Sequence, residues 1–154
     1  MFEERARGLS AYETAEYFAC EKAKEVFSRF PDAVVLGADT VVSLEGRILG
    51  KPKDGADAKE MLRALSGRTH SVFTGVCVLA RGIRRSAVAE TKVAFFPLGE
   101  ELIARYVASG LPMDKAGAYG IQDGFPLVRS YEGGYENVVG LPVETVRELL
   151  NGIL

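Results

Sequence analysis

Val34-Val35-Leu36-Gly37-Ala38-Asp39-Thr40-Val41-Val42 is an apolar run that breaks at Gly-Ala-Asp-Thr and then resumes. The apolar and β-branched residues on both sides of the break predict a buried strand. A carboxylate inside such a strand is costly unless another group pairs with it. Asp39 is therefore either a structural anchor that satisfies backbone N–H groups or a reacting group, acting as general base or metal ligand. Gly37 would let another backbone or a ligand approach the strand closely.

A lysine follows twelve residues after Asp39, in the segment Gly50-Lys51-Pro52. Between the two, Glu45-Gly46 separates apolar stretches and predicts a β-hairpin turn, which would return Lys51 towards Asp39. Most lysines are solvated surface charges, but one held beside a triphosphate would offset its negative charge. A carboxylate and a lysine brought together in this way suit a site for phosphate and metal.

A third candidate segment is Gly117-Ala118-Tyr119-Gly120-Ile121-Gln122. A glutamine amide can both donate to and accept from the edge of a nucleobase, so Gln122 is a candidate for base recognition. The alternative is an ordinary glycine-rich surface loop. Thr40 has the same two interpretations: its hydroxyl contacts a substrate, or it is a routine strand threonine.

Several common catalytic signatures do not occur in the sequence. It contains no G-x-x-x-x-G-K-[ST] phosphate loop, no G-x-G-x-x-G after a strand and no G-x-S-x-G. His70 is the single histidine, which excludes a metal site with two histidines. We expect His70 to be structural or exposed rather than catalytic.

The composition indicates one globular domain. The chain has 154 residues, of which 47% are hydrophobic and 26% charged, and this length can bury one sizeable core.

A net charge of −2 gives no overall basic field, so nucleic acid is not expected as a partner. The sequence has neither an 18-residue apolar run nor a signal-peptide core, so we expect a cytoplasmic protein without a membrane partner. Cys20 and Cys77 are expected to be reduced, buried thiols.

The pattern along the chain predicts an α/β fold with a mixed sheet flanked by helices. Ser10 and Glu13 form a capping box that opens a helix over about 11–28. Asp54 is predicted to cap a second helix over 55–65. Further helices are expected over 98–109 and 142–150, with strands over 71–79 and 86–96. Residues 110–140 are expected to be rich in loops, because glycines recur throughout them.

Five segments, taken in order, resemble one known family, the Maf-like nucleoside triphosphate pyrophosphatases. The resemblance extends from about residue 19 to 150, and it is specific because five separate motifs occur in register. The segments are Gly37-Ala38-Asp39-Thr40-Val41-Val42, Gly50-Lys51-Pro52, Ser66-Gly67-Arg68-Thr69-His70, Lys115-Ala116-Gly117-Ala118-Tyr119-Gly120-Ile121-Gln122 and Asn137-Val138-Val139-Gly140-Leu141-Pro142.

This resemblance implies an inosine-triphosphatase-like architecture with a cleft, and hydrolysis of a nucleoside triphosphate to the monophosphate and pyrophosphate. It implies a divalent metal cofactor, with Asp39 as proton acceptor and Lys51 as a lysine of the active cleft. We expect Mg²⁺ or Mn²⁺ as the metal, Asp39 and Lys51 to be catalytic, and Asp39 to be a metal ligand as well. Thr40 and Gln122 fall on positions linked to base selection. The sequence variants at these motifs resemble the branch that acts on dTTP and UTP, including modified pyrimidine nucleotides. The family also includes homodimers, so a homodimer is one expected assembly.

The chain differs from the family pattern at its beginning. Family members start with an apolar strand and a Ser-x-x-Arg motif, whereas Arg5 and Arg7 do not have that spacing. We therefore expect a single Maf-like domain over 1–154 that is shortened at its N-terminus, through a misplaced start or a true loss. An alternative function is a catalytically impaired module that binds nucleotide or regulates septum formation.

Overall fold

The computed structural model describes residues 8–153 and shows helices packed on one sheet; Arg5 and Arg7 lie outside the described residues. No helix within 8–153 combines the length and apolar character needed to cross a lipid bilayer. Two 3₁₀ turns, Leu111–Asp114 and Ala116–Ala118, lie within the segment of residues 109–127. The elements in chain order are α1 (Ala11–Arg29), β1 (Val35–Leu44), β2 (Arg47–Leu49), α2 (Gly55–Leu65), β3 (Thr69–Ala80), β4 (Ile83–Phe95), α3 (Glu100–Ala108), β5 (Val128–Glu132), α4 (Tyr135–Val139) and α5 (Val143–Leu150).

The helix starts follow the local chemistry of the sequence. The Ser10 hydroxyl accepts from the backbone N–H of Glu13 at 3.1 Å, and the Glu13 carboxylate accepts from the N–H of Ser10 at 3.3 Å. This is the predicted capping box, which satisfies two N–H groups that a helix start leaves unpaired. Asp54 caps α2 through the N–H of Asp57 at 2.8 Å, also as predicted.

The sheet has the strand order β2-β1-β3-β4-β5. The α/β class with flanking helices is confirmed, but every ladder among the described residues is antiparallel, not mixed. Two of the four ladders follow from the connections: tight hairpins join β1 to β2 and β3 to β4, and a tight hairpin always reverses the chain. In the first hairpin Glu45 and Gly46 have φ of 51° and 81°, the positive values that a two-residue type I′ turn requires.

Helix α1 packs against β1 and β3 with unusually close backbones. A Cβ added at Gly37 would lie 2.2 Å from the carbonyl oxygen of Ala19, and one added at Gly75 would lie 2.3 Å from that of Ala15. Ala15, Ala19 and Ala23 are fully or almost fully buried at this contact. Small residues on both elements therefore set the height of α1 above the sheet, as Gly37 was expected to allow.

The two cysteines meet beside this contact. Cys20 on α1 and Cys77 on β3 are both buried and free, as predicted. Burial, and then the neighbouring Cys20, raises the pKa of Cys77 to about 12, so the thiol stays protonated at neutral pH.

The opposite face of the sheet carries the larger core, to which α2 and α3 contribute Leu62, Leu65, Ile103 and Tyr106. Residues 110–140 pack on this face of the sheet and contain more regular secondary structure than the sequence predicted. They contain β5, which pairs with β4, and the short helix α4. Their glycines predicted loops, but long-range pairing with β4 gives the segment its structure.

Candidate active site

Four residues singled out from the sequence lie around one cleft. Asp39, Thr40, Lys51 and Gln122 all contribute to its wall, and the cleft has a volume of about 260 Å³. They come from β1, from the segment after β2 and from the loop before β5. The fold thus brings together residues that are up to 83 positions apart in the chain.

Successive side chains in a strand alternate, so Asp39 leaves β1 on the side of α1 and Thr40 on the other side, and the cleft reaches both residues. Asp39 shares the face of Gly37, on which α1 lies. Lys22 of α1 donates to Asp39 Oδ1 at 2.7 Å and to the carbonyl oxygen of Ala38 at 3.4 Å. The Asp39 side chain keeps 20% of its surface exposed, so solvent reaches it despite the ion pair. Lys22 was not predicted from the sequence, where it is one of several helix lysines.

Lys51 is held near the cleft by its neighbour Gly50. The carbonyl oxygen of Gly50 accepts from the N–H of Gly117 at 3.1 Å, which ties the end of β2 to the glycine-rich segment. Gly117 has φ of 71°, and a Cβ there would lie 2.9 Å from Val42 Cγ1. A glycine is therefore needed at this junction. Lys51 itself is exposed, and no ion pair engages it within residues 8–153.

The loop that carries Gln122 is braced through the next residue, Asp123. Lys115 donates to Asp123 at 3.0 and 3.2 Å, and the Tyr106 hydroxyl donates to it at 2.6 Å. The same hydroxyl accepts from the N–H of Gly120 at 2.9 Å. Burial, followed by the bond to Asp123, raises the pKa of Tyr106, so it remains a donor. Gln122 is exposed at the cleft, on a loop fixed on both sides.

Thr40 belongs to a buried network on the other face of the sheet. Its hydroxyl lies 2.8 Å from that of Thr74, its register partner in β3. Thr74 is fully buried and donates to the carbonyl oxygen of Asn137 in α4 at 3.0 Å. The Asn137 amide anchors α4 to the sheet by donating to Val72 O, Ala89 O and Thr91 Oγ1 at 3.0, 3.0 and 3.1 Å.

His70 supports the floor of the cleft from the core. Its Nε2 lies 2.6 Å from the hydroxyl of Tyr119, a cleft residue, and its ring contacts Phe95 edge to face. No hydrogen-bond partner is present for Nδ1 among the described residues. Burial lowers the pKa of His70 to about 4, so the ring is neutral at pH 7. The expectation of a structural histidine agrees with this position.

This histidine should make the fold sensitive to mild acid. The unfolded chain binds a proton on His70 below about pH 6.5, whereas the folded protein resists protonation until about pH 4. Its contribution is therefore complete above pH 6.5 and is lost as the pH falls towards 4, by roughly 2–3 kcal/mol. Urea unfolding at pH 7 and 4.5 should show this loss in the native protein. His70→Gln, which keeps a group able to bond Tyr119, should show a smaller loss; equal losses would contradict the assignment.

The cleft offers few carboxylates to a divalent metal. No group of three or more His, Cys, Asp or Glu side chains suited to a metal occurs in the described part of the chain. Asp39 and Asp114 line the cleft. Mg²⁺ commonly uses only one or two protein carboxylates and takes its remaining ligands from water and substrate phosphates. The donor set therefore fits a metal that arrives with a phosphorylated substrate.

Comparison with known sequences finds one matching family and several relatives that share one name. The family described as Maf-like protein matches residues 1–153. A protein of Bacillus pumilus (strain SAFR-032) named dTTP/UTP pyrophosphatase is 46% identical over 149 residues, covering 96% of this chain and 79% of the relative. Proteins with the same name from Symbiobacterium thermophilum and Thermococcus gammatolerans are each 49% identical, over 92% and 96% of this chain and 73% and 79% of their own lengths.

Proposed function

The chain belongs to the Maf-like protein family, and from this membership and its cleft we propose that it hydrolyses dTTP and UTP to the monophosphate and pyrophosphate. The observation that carries the proposal is the shared cleft of Asp39, Lys51, Thr40 and Gln122. It combines a carboxylate and a free ammonium with two neutral groups able to contact a base. Relatives that are 46–49% identical carry the name of this activity.

Asp39 is the proposed general base. It takes a proton from a water molecule, whose oxygen attacks the α-phosphorus and forms the new P–O bond. The bond from the α-phosphorus to the bridging oxygen breaks, and pyrophosphate leaves. Lys22 holds Oδ1 of Asp39 at 2.7 Å, while Oδ2 has no hydrogen-bond partner among residues 8–153. One oxygen therefore fixes the orientation of the carboxylate and the other is available to water.

Lys51 and a divalent metal offset the negative charge of the triphosphate in this proposal. Lys51 has no competing carboxylate in the described structure, so its ammonium is available to the β- and γ-phosphates and to the charge that develops on leaving pyrophosphate. Mg²⁺ or Mn²⁺, bound through Asp39 and the substrate phosphates, would supply further neutralisation of the triphosphate.

Thr40 and Gln122 are the proposed base-reading residues. Both line the same cleft as Asp39, and Val138, Val139 and Gly140 also contribute to its wall. A planar pyrimidine between apolar side chains, with two polar groups at its edge, matches the usual construction of a small-ligand site.

A pyrophosphate-release assay tests the proposal. The native protein is incubated with dTTP, UTP, CTP and GTP in Mn²⁺ or Mg²⁺, and with an excess of chelator. We expect pyrophosphate and monophosphate in equal amounts, the highest kcat/KM for dTTP and UTP, and loss of turnover with chelator. Release of orthophosphate, or no turnover of any of the four nucleotides, would refute the proposed function.

A further inference from the structure

We propose that Thr74, a buried residue outside the cleft wall, fixes the hydroxyl proton of Thr40 so that the site accepts the N3–H of uracil and thymine and disfavours cytosine. The inference rests on the proposed function, because it assigns the discrimination between pyrimidines at the same cleft. Thr74 touches no substrate in this account; it is a positioning residue that acts through Thr40.

The first step is the single proton of Thr74. A threonine hydroxyl has one hydrogen to donate and lone pairs to accept with. The neighbour of Thr74 at 3.0 Å is the backbone carbonyl oxygen of Asn137, which can only accept a hydrogen bond. Both residues are almost completely buried, so water does not substitute for this bond. The Thr74 proton is therefore committed to Asn137.

The second step is the bond between the two hydroxyls. Thr40 and Thr74 lie 2.8 Å apart, and one of them must donate. Because the proton of Thr74 points to Asn137, the donor is Thr40. The reverse arrangement would leave the buried carbonyl of Asn137 without this donor, which is the unfavourable case for a buried polar group. Thr40 therefore offers only lone pairs to the cleft it lines.

The third step is the chemistry of the bases. Uracil and thymine carry a proton on N3, whereas N3 of cytosine is a lone pair. An acceptor-only hydroxyl attracts the first and repels the second. Gln122 cannot make this distinction alone, because its exposed amide has no partner in the described structure and can present either its oxygen or its nitrogen. The Thr40 hydroxyl, oriented by Thr74, is therefore the group that distinguishes uracil and thymine from cytosine.

The test compares kcat/KM for UTP and CTP in the native protein, Thr74→Val, Thr74→Ser and Thr91→Val. Thr74→Val frees the Thr40 proton to donate into the cleft, so the UTP:CTP ratio should fall by about tenfold. Thr74→Ser keeps the hydroxyl and should keep the ratio. Thr91 is the matched control: it is equally buried, it also bonds Asn137, and it does not contact Thr40. Thr91→Val should lower stability without changing the ratio.

Thr40→Val gives a second measurement at a partly exposed residue, in case Thr74→Val does not fold. It should lower kcat/KM for UTP by about tenfold and leave that for CTP unchanged or higher. An equal loss for both nucleotides would overturn the inference. An unchanged ratio in Thr74→Val, or the same change in Thr91→Val, would also overturn it.

Binding measurements separate this inference from the proposed function. Calorimetric Kd values for UTP and CTP, taken with chelator present, should follow the same pattern across the variants. If the native protein binds UTP over CTP in this Thr74-dependent way but releases no pyrophosphate, the proposed function fails and the inference stands. If it hydrolyses UTP and neither ratio depends on Thr74, only the inference fails.

Discussion

Replacing Asp39 with asparagine is expected to lower kcat/KM for UTP by about a thousandfold while leaving the fold intact. Asparagine has nearly the same shape and still accepts a hydrogen bond from Lys22, but its amide does not take a proton from water at neutral pH. The effect should appear in kcat, because the interaction with the attacking water is made in the transition state. Pyrophosphate release under saturating UTP measures it.

Stability should change little in this variant. The Asp39–Lys22 pair is partly exposed, with 20% and 59% of the two side chains accessible, and exposed ion pairs contribute about 1 kcal/mol or less. Urea unfolding of Asp39→Asn should therefore resemble that of the native protein. Loss of turnover could then be assigned to chemistry and not to unfolding.

Asp32→Asn is the matched control. Asp32 lies before the same strand, forms an ion pair with Arg81 and does not line the cleft. It should keep native kcat/KM. If Asp39→Asn retained a tenth or more of native turnover, Asp39 would not be the base. If the native protein bound nucleotide without turnover and Asp39→Asn bound it equally well, the alternative of a non-catalytic binding module would be favoured.

The parts of the fold that could be predicted are those determined by neighbouring residues. The capping box at Ser10, the Asp54 cap and the Glu45-Gly46 turn depend on contacts three or four positions apart, and each occurs as predicted. Strand β5 and helix α4 depend instead on pairing with β4 and on the buried amide of Asn137. Those contacts join residues more than thirty positions apart, so the local pattern in 110–140 showed only its glycines.

The residues of the candidate site also fall into two groups, those with a local sequence signal and those that only the fold brings to the site. Asp39 was predicted as a site residue because a carboxylate in an apolar strand must be either paired or reactive. Lys51 and Gln122 were predicted because glycines lie close to them in the sequence. Lys22 and Thr74 carry no such local signal. Lys22 reaches Asp39 only because α1 crosses β1 at Gly37, and Thr74 meets Thr40 only through the β1–β3 register.

Gly37→Ala is expected to destabilise the protein by roughly 3 kcal/mol, although alanine is normally the better residue in a strand. The added Cβ would lie 2.2 Å from the carbonyl oxygen of Ala19 and 2.8 Å from the backbone nitrogen of Ala23. Both atoms belong to the backbone of α1, so no side-chain rotation relieves the overlap and the helix must move. Urea unfolding at pH 7 measures the loss in free energy.

The same movement should reduce catalysis, because α1 carries Lys22. A helix lifted from Gly37 withdraws the ammonium that lies 2.7 Å from Asp39, so kcat/KM should fall even at temperatures where the variant is fully folded. Gly55→Ala is the control, since a Cβ there meets only Val107 Cγ1 at 3.5 Å, an ordinary contact. It should leave stability within about 1 kcal/mol and activity unchanged. A Gly37→Ala protein as stable as this control would show that small residues do not set the position of α1.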